Sequence, residues 1–252
     1  MQLKVRQWLV SVLIIGTLML GCSAPQAATL ESSNSSATGA STVPAMAINP
    51  QMKDLPTLEG NATVVMTVKG SPITIEVDGK DAPITAGNFV DLVQRGVYDG
   101  LMFHRVVRSP QPFVVQGGDP QSKDPKFPQS QLGTGGFVDP KTGDQRYIPL
   151  EIKPKGKDSP VYSKTLESAG IFISPVLQHT RGAVAMARSQ PPDSASSQFY
   201  FALADLSFLD GNYAVFGHVT KGMDVVDKIK QGDRIDSAKV TQGLENLKNG
   251  AK

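Results

Sequence analysis

The 252-residue chain is 40% hydrophobic and 19% charged, enough apolar material for a sizeable core in one or two domains. Its formal charge of +2 and pI near 8.6 come from interspersed charges, without the basic block that tracks phosphates, so nucleic acid is set aside as a partner. A single cysteine, Cys22, excludes an internal disulfide framework, and His104, His179 and His218 lack metal-ligand spacing, so neither metal nor cofactor is expected.

Residues 1–22 have the shape of an export signal: Lys4 and Arg6 precede an apolar run from Trp8 to Leu20 that is short for a membrane span. The run ends in Leu18-Met19-Leu20-Gly21-Cys22, which resembles the bacterial lipobox, whose cysteine is lipidated and becomes the new N-terminus. Cleavage near Ala27-Ala28 and an uncleaved anchor are the alternatives, and all three export the rest of the chain. The expected location is the periplasmic or thylakoid-lumen side of a membrane, anchored or soluble. Residues 23–60 are rich in Ser, Ala, Thr, Pro and Gly with few large apolar side chains, too little to offset ordering entropy, and are expected to form a disordered tether. A flexible linker of this length spans on the order of 30 Å.

Folded sequence is expected over 61–246, with a tail over 247–252. Two β-rich runs, Ala62 to Val68 and Ile73 to Val77, flank Lys69-Gly70-Ser71-Pro72 and predict a hairpin. Ala86, Phe89, Val90 and Val93 share a helical face over 83–95, with Gly96 placed as a left-handed terminator. Gly87 inside that helix costs about 1 kcal/mol of propensity. Next come Phe103-His104-Arg105 and Phe113 to Asp119. Strand alternation places Phe103 and Arg105 on one face, and Val114 and Gln116 on one face beyond a Pro-containing loop. One cation, an apolar surface and a carboxamide then share a strand-turn-strand segment. His104 is turned away from Arg105 and reads as structural.

The section over 120–160 is rich in Gly and Pro. Its Gly133-Thr134-Gly135-Gly136 lacks the Lys-Ser/Thr pair of a phosphate loop and reads as a turn. Strand character resumes at Gly182 to Ala187, Gln198 to Leu203 and Tyr213 to Val219. Met223, Val226 and Ile229 predict a second helix over 222–230, and Ile235 and Val240 a last strand within 234–244. Short strands at this spacing imply a closed or sandwiched sheet.

Phe103-His104-Arg105-Val106-Val107 followed by Phe113-Val114-Val115-Gln116-Gly117-Gly118-Asp119 resembles the signature of the cyclophilins, the peptidyl-prolyl cis-trans isomerases. Thr85-Ala86 with Asn88-Phe89, Gly133-Thr134-Gly135-Gly136, Arg181-Gly182 with Met186-Ala187, Ser197 to Phe201, Leu209-Asp210-Gly211 and Val215-Phe216-Gly217 resemble further family blocks in the same order, over about 61–244. The resemblance implies a mainly β fold, an eight-stranded antiparallel closed β-barrel with two capping α-helices, acting as a monomer on proline-containing polypeptides. It implies Arg105 as the catalytic arginine with Gln116 beside it. It also implies substrate contacts from Phe113, Val114, Ala187, Arg188 (through its backbone N–H), Tyr200, Phe208, Leu209 and Tyr213. Against the commonest animal pattern, Val114 replaces a methionine, Tyr200 a phenylalanine, Phe208 a tryptophan and Tyr213 a histidine, which implies weak cyclosporin binding. A binding or scaffolding module with incidental activity is the alternative reading. The loop over 108–112 and the segment over 147–178 exceed the family's usual lengths, and the second is a candidate lid or partner surface.

Overall fold

The structure, a computed structural model, describes residues 52–250; the export segment, Cys22 and residues 23–51 of the expected tether lie outside the described residues. In chain order the elements are β1 (Thr57–Leu58), β2 (Asn61–Val68), β3 (Ser71–Asp78), α1 (Pro83–Gln94), β4 (Arg105–Val106), β5 (Val114–Gly117), β6 (Glu151–Ile152), β7 (Val161–Tyr162), β8 (Ala183–Met186), β9 (Phe199–Ala202), β10 (Val215–Lys221), α2 (Met223–Val226), β11 (Ile235–Gln242) and β12 (Leu247–Lys248).

Alternation drives the first hairpin. Ala62, Val64, Met66 and Val68 of β2 are buried and their neighbours are half-exposed, as one core-facing side requires. The turn is Lys69-Gly70 alone, both with positive φ (50° and 73°), the geometry whose twist matches the flanking strands. Ser71 and Pro72, expected in the turn, pair instead within β3.

Eight strands form one antiparallel sheet in the order β11-β2-β3-β10-β8-β9-β5-β4. The closed barrel expected from the sequence is too strong a description, because no regular ladder joins the end strands β4 and β11. They meet through the chain just before β4: a Met102–Arg234 bridge, with Phe103 N–H donating to Asp233 O at 2.8 Å and Ile235 N–H to Leu101 O at 2.9 Å. The sheet is curled, and its rim at β4 is irregular.

Helix α1 follows the expected 83–95 closely, and Gly96 adopts φ 66°. Its first turn has no local side-chain cap; the buried Glu151 carboxylate of β6 takes the N–H groups of Ile84 (3.1 Å) and Thr85 (2.7 Å). Phe89 packs the helix onto the rings of Tyr98, Phe199 and Phe216. The second helix is shorter than the expected 222–230: after Val226 the backbone tightens into i→i−3 bonds at Lys228 and Ile229. The folded unit also begins before residue 61 and runs past 246, since Thr57–Leu58 pairs with Leu247–Lys248 and Leu58 is fully buried.

The strands β5, β8 and β9 are buried on both faces. Val115, Val184, Met186, Phe199 and Phe201 point into the main core, while Val114, Ala183, Ala185, Tyr200 and Ala202 form a second, smaller cluster on the other side. Period-two alternation thus sorts these short runs into a barrel interior and the floor of an outer cleft.

Candidate active site

The register places Gln116 opposite Arg105 of β4 on one side and Tyr200 of β9 on the other. Cross-strand neighbours on one face touch, so a cation, a carboxamide and an aromatic ring form a row. Arg105 Nη1 donates to Gln116 Oε1 at 3.2 Å, and its guanidinium carbon lies 5.5 Å from the centre of the Phe113 ring. Arg105 is exposed and makes no ion pair among the described residues, leaving most of its donors available.

A cleft of about 200 Å³ is lined by Arg105, Phe113, Val114, Gln116, Ala187, Arg188, Tyr200, Leu209 and Tyr213. Pockets for drug-sized ligands start at about 300 Å³, so this one suits a single side chain with its flanking peptide. The Arg188 guanidinium is committed: it donates to Asn212 O (3.1 and 2.9 Å), Ser189 O and Gln190 O (both 2.9 Å) and lies over the Tyr213 ring. Its backbone N–H has no acceptor among the described residues and faces no competing bond.

The long loop over 108–112 does not displace the site. Two backbone bonds from Val107 close it, its N–H donating to Val114 O (2.9 Å) and its C=O accepting from Phe113 N–H (3.0 Å). Arg108 then pins it by donating to Val226 O and Ile229 O. Arg105 and Gln116 therefore stay in register.

Phe208 stands at the rim of the cleft, 67% exposed, with its ring stacked on Phe113 at 6.0 Å and 18°. One expectation is corrected. Phe103 and Arg105 do not share a face: Phe103 is buried against Phe199 and Phe201, whereas Arg105 is exposed. The ladder is interrupted at Phe103-His104, so alternation does not carry across it. His104 is structural in position. Its ring lies against Gly133, and burial holds its pKa below the usual range.

Two layers of contacts around the cleft were not expected from the sequence. Gln116 Nε2 donates to Gln198 Oε1 (3.2 Å), and Gln198 Nε2 donates to Gly135 O (2.7 Å). The Gly-rich loop is itself fixed by the buried Asp119 carboxylate, which takes the N–H groups of Gln121, Gly133 and Gly135. Arg105 is thus oriented by a chain of amides that ends on a tied backbone. Behind the cleft, the Tyr200 hydroxyl meets His179 Nε2 at 2.9 Å, and His179 Nδ1 meets Asp210 Oδ1 at 2.8 Å. Burial pushes the Tyr200 phenol up and the His179 imidazole down.

The structure is thus a mainly β protein whose curled antiparallel sheet carries the Arg105 guanidinium at the mouth of an apolar, side-chain-sized cleft. Residues 63–247 match the family model described as Cyclophilin type peptidyl-prolyl cis-trans isomerase/CLD, and the chain belongs to that family. It is 44% identical over 214 residues to a putative thylakoid lumen peptidyl-prolyl cis-trans isomerase of Synechocystis sp., an alignment covering 81% of this chain and 53% of that protein. To a probable peptidyl-prolyl cis-trans isomerase of Brucella abortus it is 34% identical over 180 residues, 71% of this chain and 76% of that one. A crystal structure of a cyclophilin type isomerase from Cryptosporidium parvum shares the fold with a TM-score of 0.53 at 20% identity, over 72% of this chain and 98% of that chain. The chain spans about half the length of the first curated relatives it matches, 53% and 46%.

Proposed function

We propose that the protein accelerates cis-trans rotation about Xaa-Pro bonds in exported polypeptides. Rotation must break amide resonance against a barrier of about 18–20 kcal/mol, and no bond needs to be made or cleaved. In the twisted transition state the prolyl nitrogen regains its lone pair, and a donor aimed at that atom stabilises the twisted state over the planar one. Arg105 has free donors at the cleft mouth, a rigid charged fork and Gln116 to hold it. Phe113, Val114, Tyr200 and Leu209 grip the ring, and the Arg188 backbone N–H anchors the carbonyl that swings. One charge-assisted bond contributes about 1.5–3 kcal/mol, or roughly one to two orders of magnitude in rate.

The Arg105 guanidinium, bonded to Gln116 over Phe113, is the observation that carries this reading. Cis-trans exchange of an Ala-Ala-Pro-Phe peptide, followed by NMR without a coupled protease, tests it. Acceleration by the wild type and a fall of about 10–100-fold in kcat/KM for Arg105→Ala are expected; an exchange rate equal to the spontaneous one overturns the proposal.

Export and anchoring belong to the same reading. They are supported by the charged-then-apolar leader and the lipobox-like Leu18 to Cys22, and by the lumenal name of the Synechocystis relative. Intact mass of the mature protein separates a lipidated Cys22 from cleavage near residue 28.

A further inference from the structure

Beside the prolyl cleft lies a larger groove of about 420 Å³ between the segment over 166–175 and the turn over 207–212. Among the described residues six large hydrophobic side chains are exposed, and three gather here: Phe172 (86%) and Ile173 (50%) on one wall, and Phe208 (67%), next to Ser207 of the other wall. A flexible tip often shows an apolar residue, but this wall is tied on both sides of Phe172. Leu166, almost fully buried, donates its N–H to Gly211 O and accepts that of Ile171; Lys155 N–H donates to Ser174 O, and Val176 N–H to Lys153 O. An aromatic ring held in water on a fixed platform stabilises nothing in the folded monomer.

Cleft and groove share one wall. Phe208 stacks on Phe113 of the cleft; Asn212 of the groove holds the Arg188 guanidinium of the cleft; Asp210 of the groove reaches Tyr200 of the cleft through His179. A chain with its proline over Phe113 is therefore led across Phe208 toward Phe172 and Ile173. We propose that this groove is a second docking site for the same client polypeptide, taking an aromatic or aliphatic residue outside the prolyl dipeptide. The inference rests on the isomerase reading for its direction. Its chemistry follows from the groove: apolar contact comes from Phe172 and Ile173, Asp210 is committed to His179, and Glu167, which also lines the groove, disfavours an acidic residue in the occupant.

The test compares a short and a long substrate in the full-length protein. For Phe172→Ser combined with Ile173→Ser, kcat/KM on Ala-Ala-Pro-Phe is expected to stay within about twofold. Affinity and kcat/KM for reduced, carboxymethylated α-lactalbumin are expected to fall about tenfold, as loss of an apolar anchor does. Equal values for both substrates overturn the proposal, as does an equal loss on both, which assigns the pair to the fold. Wild-type self-association abolished by the variant, with unchanged lactalbumin binding, also overturns it and makes a second copy the occupant. If the wild type fails to turn over the short peptide, the isomerase reading falls, and lactalbumin affinity alone still decides the groove.

Discussion

The hydroxyl of Tyr200 is buried behind the cleft's floor, and it is satisfied through His179. The Asp210 carboxylate accepts from His179 Nδ1–H, which leaves Nε2 bare to accept the Tyr200 O–H. Removing the acceptor with His179→Leu orphans a buried phenol at a cost of about 1–3 kcal/mol, and adding Tyr200→Phe removes the group that needed it. The double variant is expected to recover stability relative to His179→Leu in urea denaturation; an additive loss would mean the pair is not coupled. The pH behaviour has a definite sign. Burial lowers the folded-state pKa of His179 from 6.5, so its contribution is complete above about pH 6.5 and is lost as pH falls through the depressed value. His104 is shifted the same way and adds to the slope. His179→Gln should flatten the stability profile between pH 7 and 5; profiles parallel to the wild type would show that His179 does not titrate there. Of this layer the sequence displayed only the residue types. Arg105, Gln116 and the cleft aromatics were legible because they crowd one recognisable stretch, whereas the Asp210-His179-Tyr200 line and Gln198 join residues far apart in the chain. Gln198 could have been found from register, since it lies two residues before Tyr200, just ahead of β9, where Ala187 N–H donating to Gln198 O continues the pairing.

At the level of elements, α1 shows how a local penalty is outweighed by a distant contact. Gly87 gives up about 1 kcal/mol of helix propensity. A Cβ there would lie 2.5 Å from Pro56 O and from the Cα of Thr57, so the glycine lets the backbone just before β1 and β1 itself run flush against the helix. Gly87→Ala should lower the melting temperature although it improves helix propensity, because overpacking against backbone costs about 1–3 kcal/mol. A rise in melting temperature would show that β1 moves aside freely. The other end of the logic is Glu151, which caps α1 from β6 and ties the long segment over 147–178 to the domain. Glu151→Ala strips two helix N–H groups of their acceptor and should destabilise by about 1–3 kcal/mol, read by calorimetry. The long strands and α1 were legible because eight or more residues of clean periodicity outvote local noise. The two-residue strands β1, β6, β7 and β12 carry no periodicity, so nothing in the chain announced them, whereas β4 was read from the stretch around Arg105. The curtailed α2 shows the converse: Met223, Val226 and Ile229 keep helical spacing because Val226 and Ile229 are buried, although regular helix ends at Val226.

For the whole molecule, the informative contact is where the two ends of the folded unit meet. Low-complexity composition suggested a tether up to residue 60, yet Leu58 is fully buried and β1 pairs with β12 through Thr57–Lys248 and Leu58–Leu247. Glu59 N–H donates to Asn246 O (2.9 Å) and Asn246 Nδ2 to Asn61 O (2.9 Å), so the joint continues into the first long strand. A single buried leucine among polar residues gives no compositional signal, which is why the boundary was misplaced. A domain cut at 61–246 lacks Leu58 and both strands. Burying a leucine contributes about 1.5–3 kcal/mol and each lost hydrogen bond about 1 kcal/mol, and a domain of this size loses about 2–4 °C in melting temperature per kcal/mol. The 61–246 fragment should therefore melt on the order of 10 °C below the 52–250 fragment. Neither β1 nor β12 supplies a residue to the cleft at Arg105, so on the proposed function both fragments should turn over Ala-Ala-Pro-Phe equally at low temperature. Equal melting temperatures would show that the joined ends are an ornament on a self-sufficient sheet. A stability loss accompanied by lost turnover at low temperature would show that the joint also sets the geometry of Arg105 and its row.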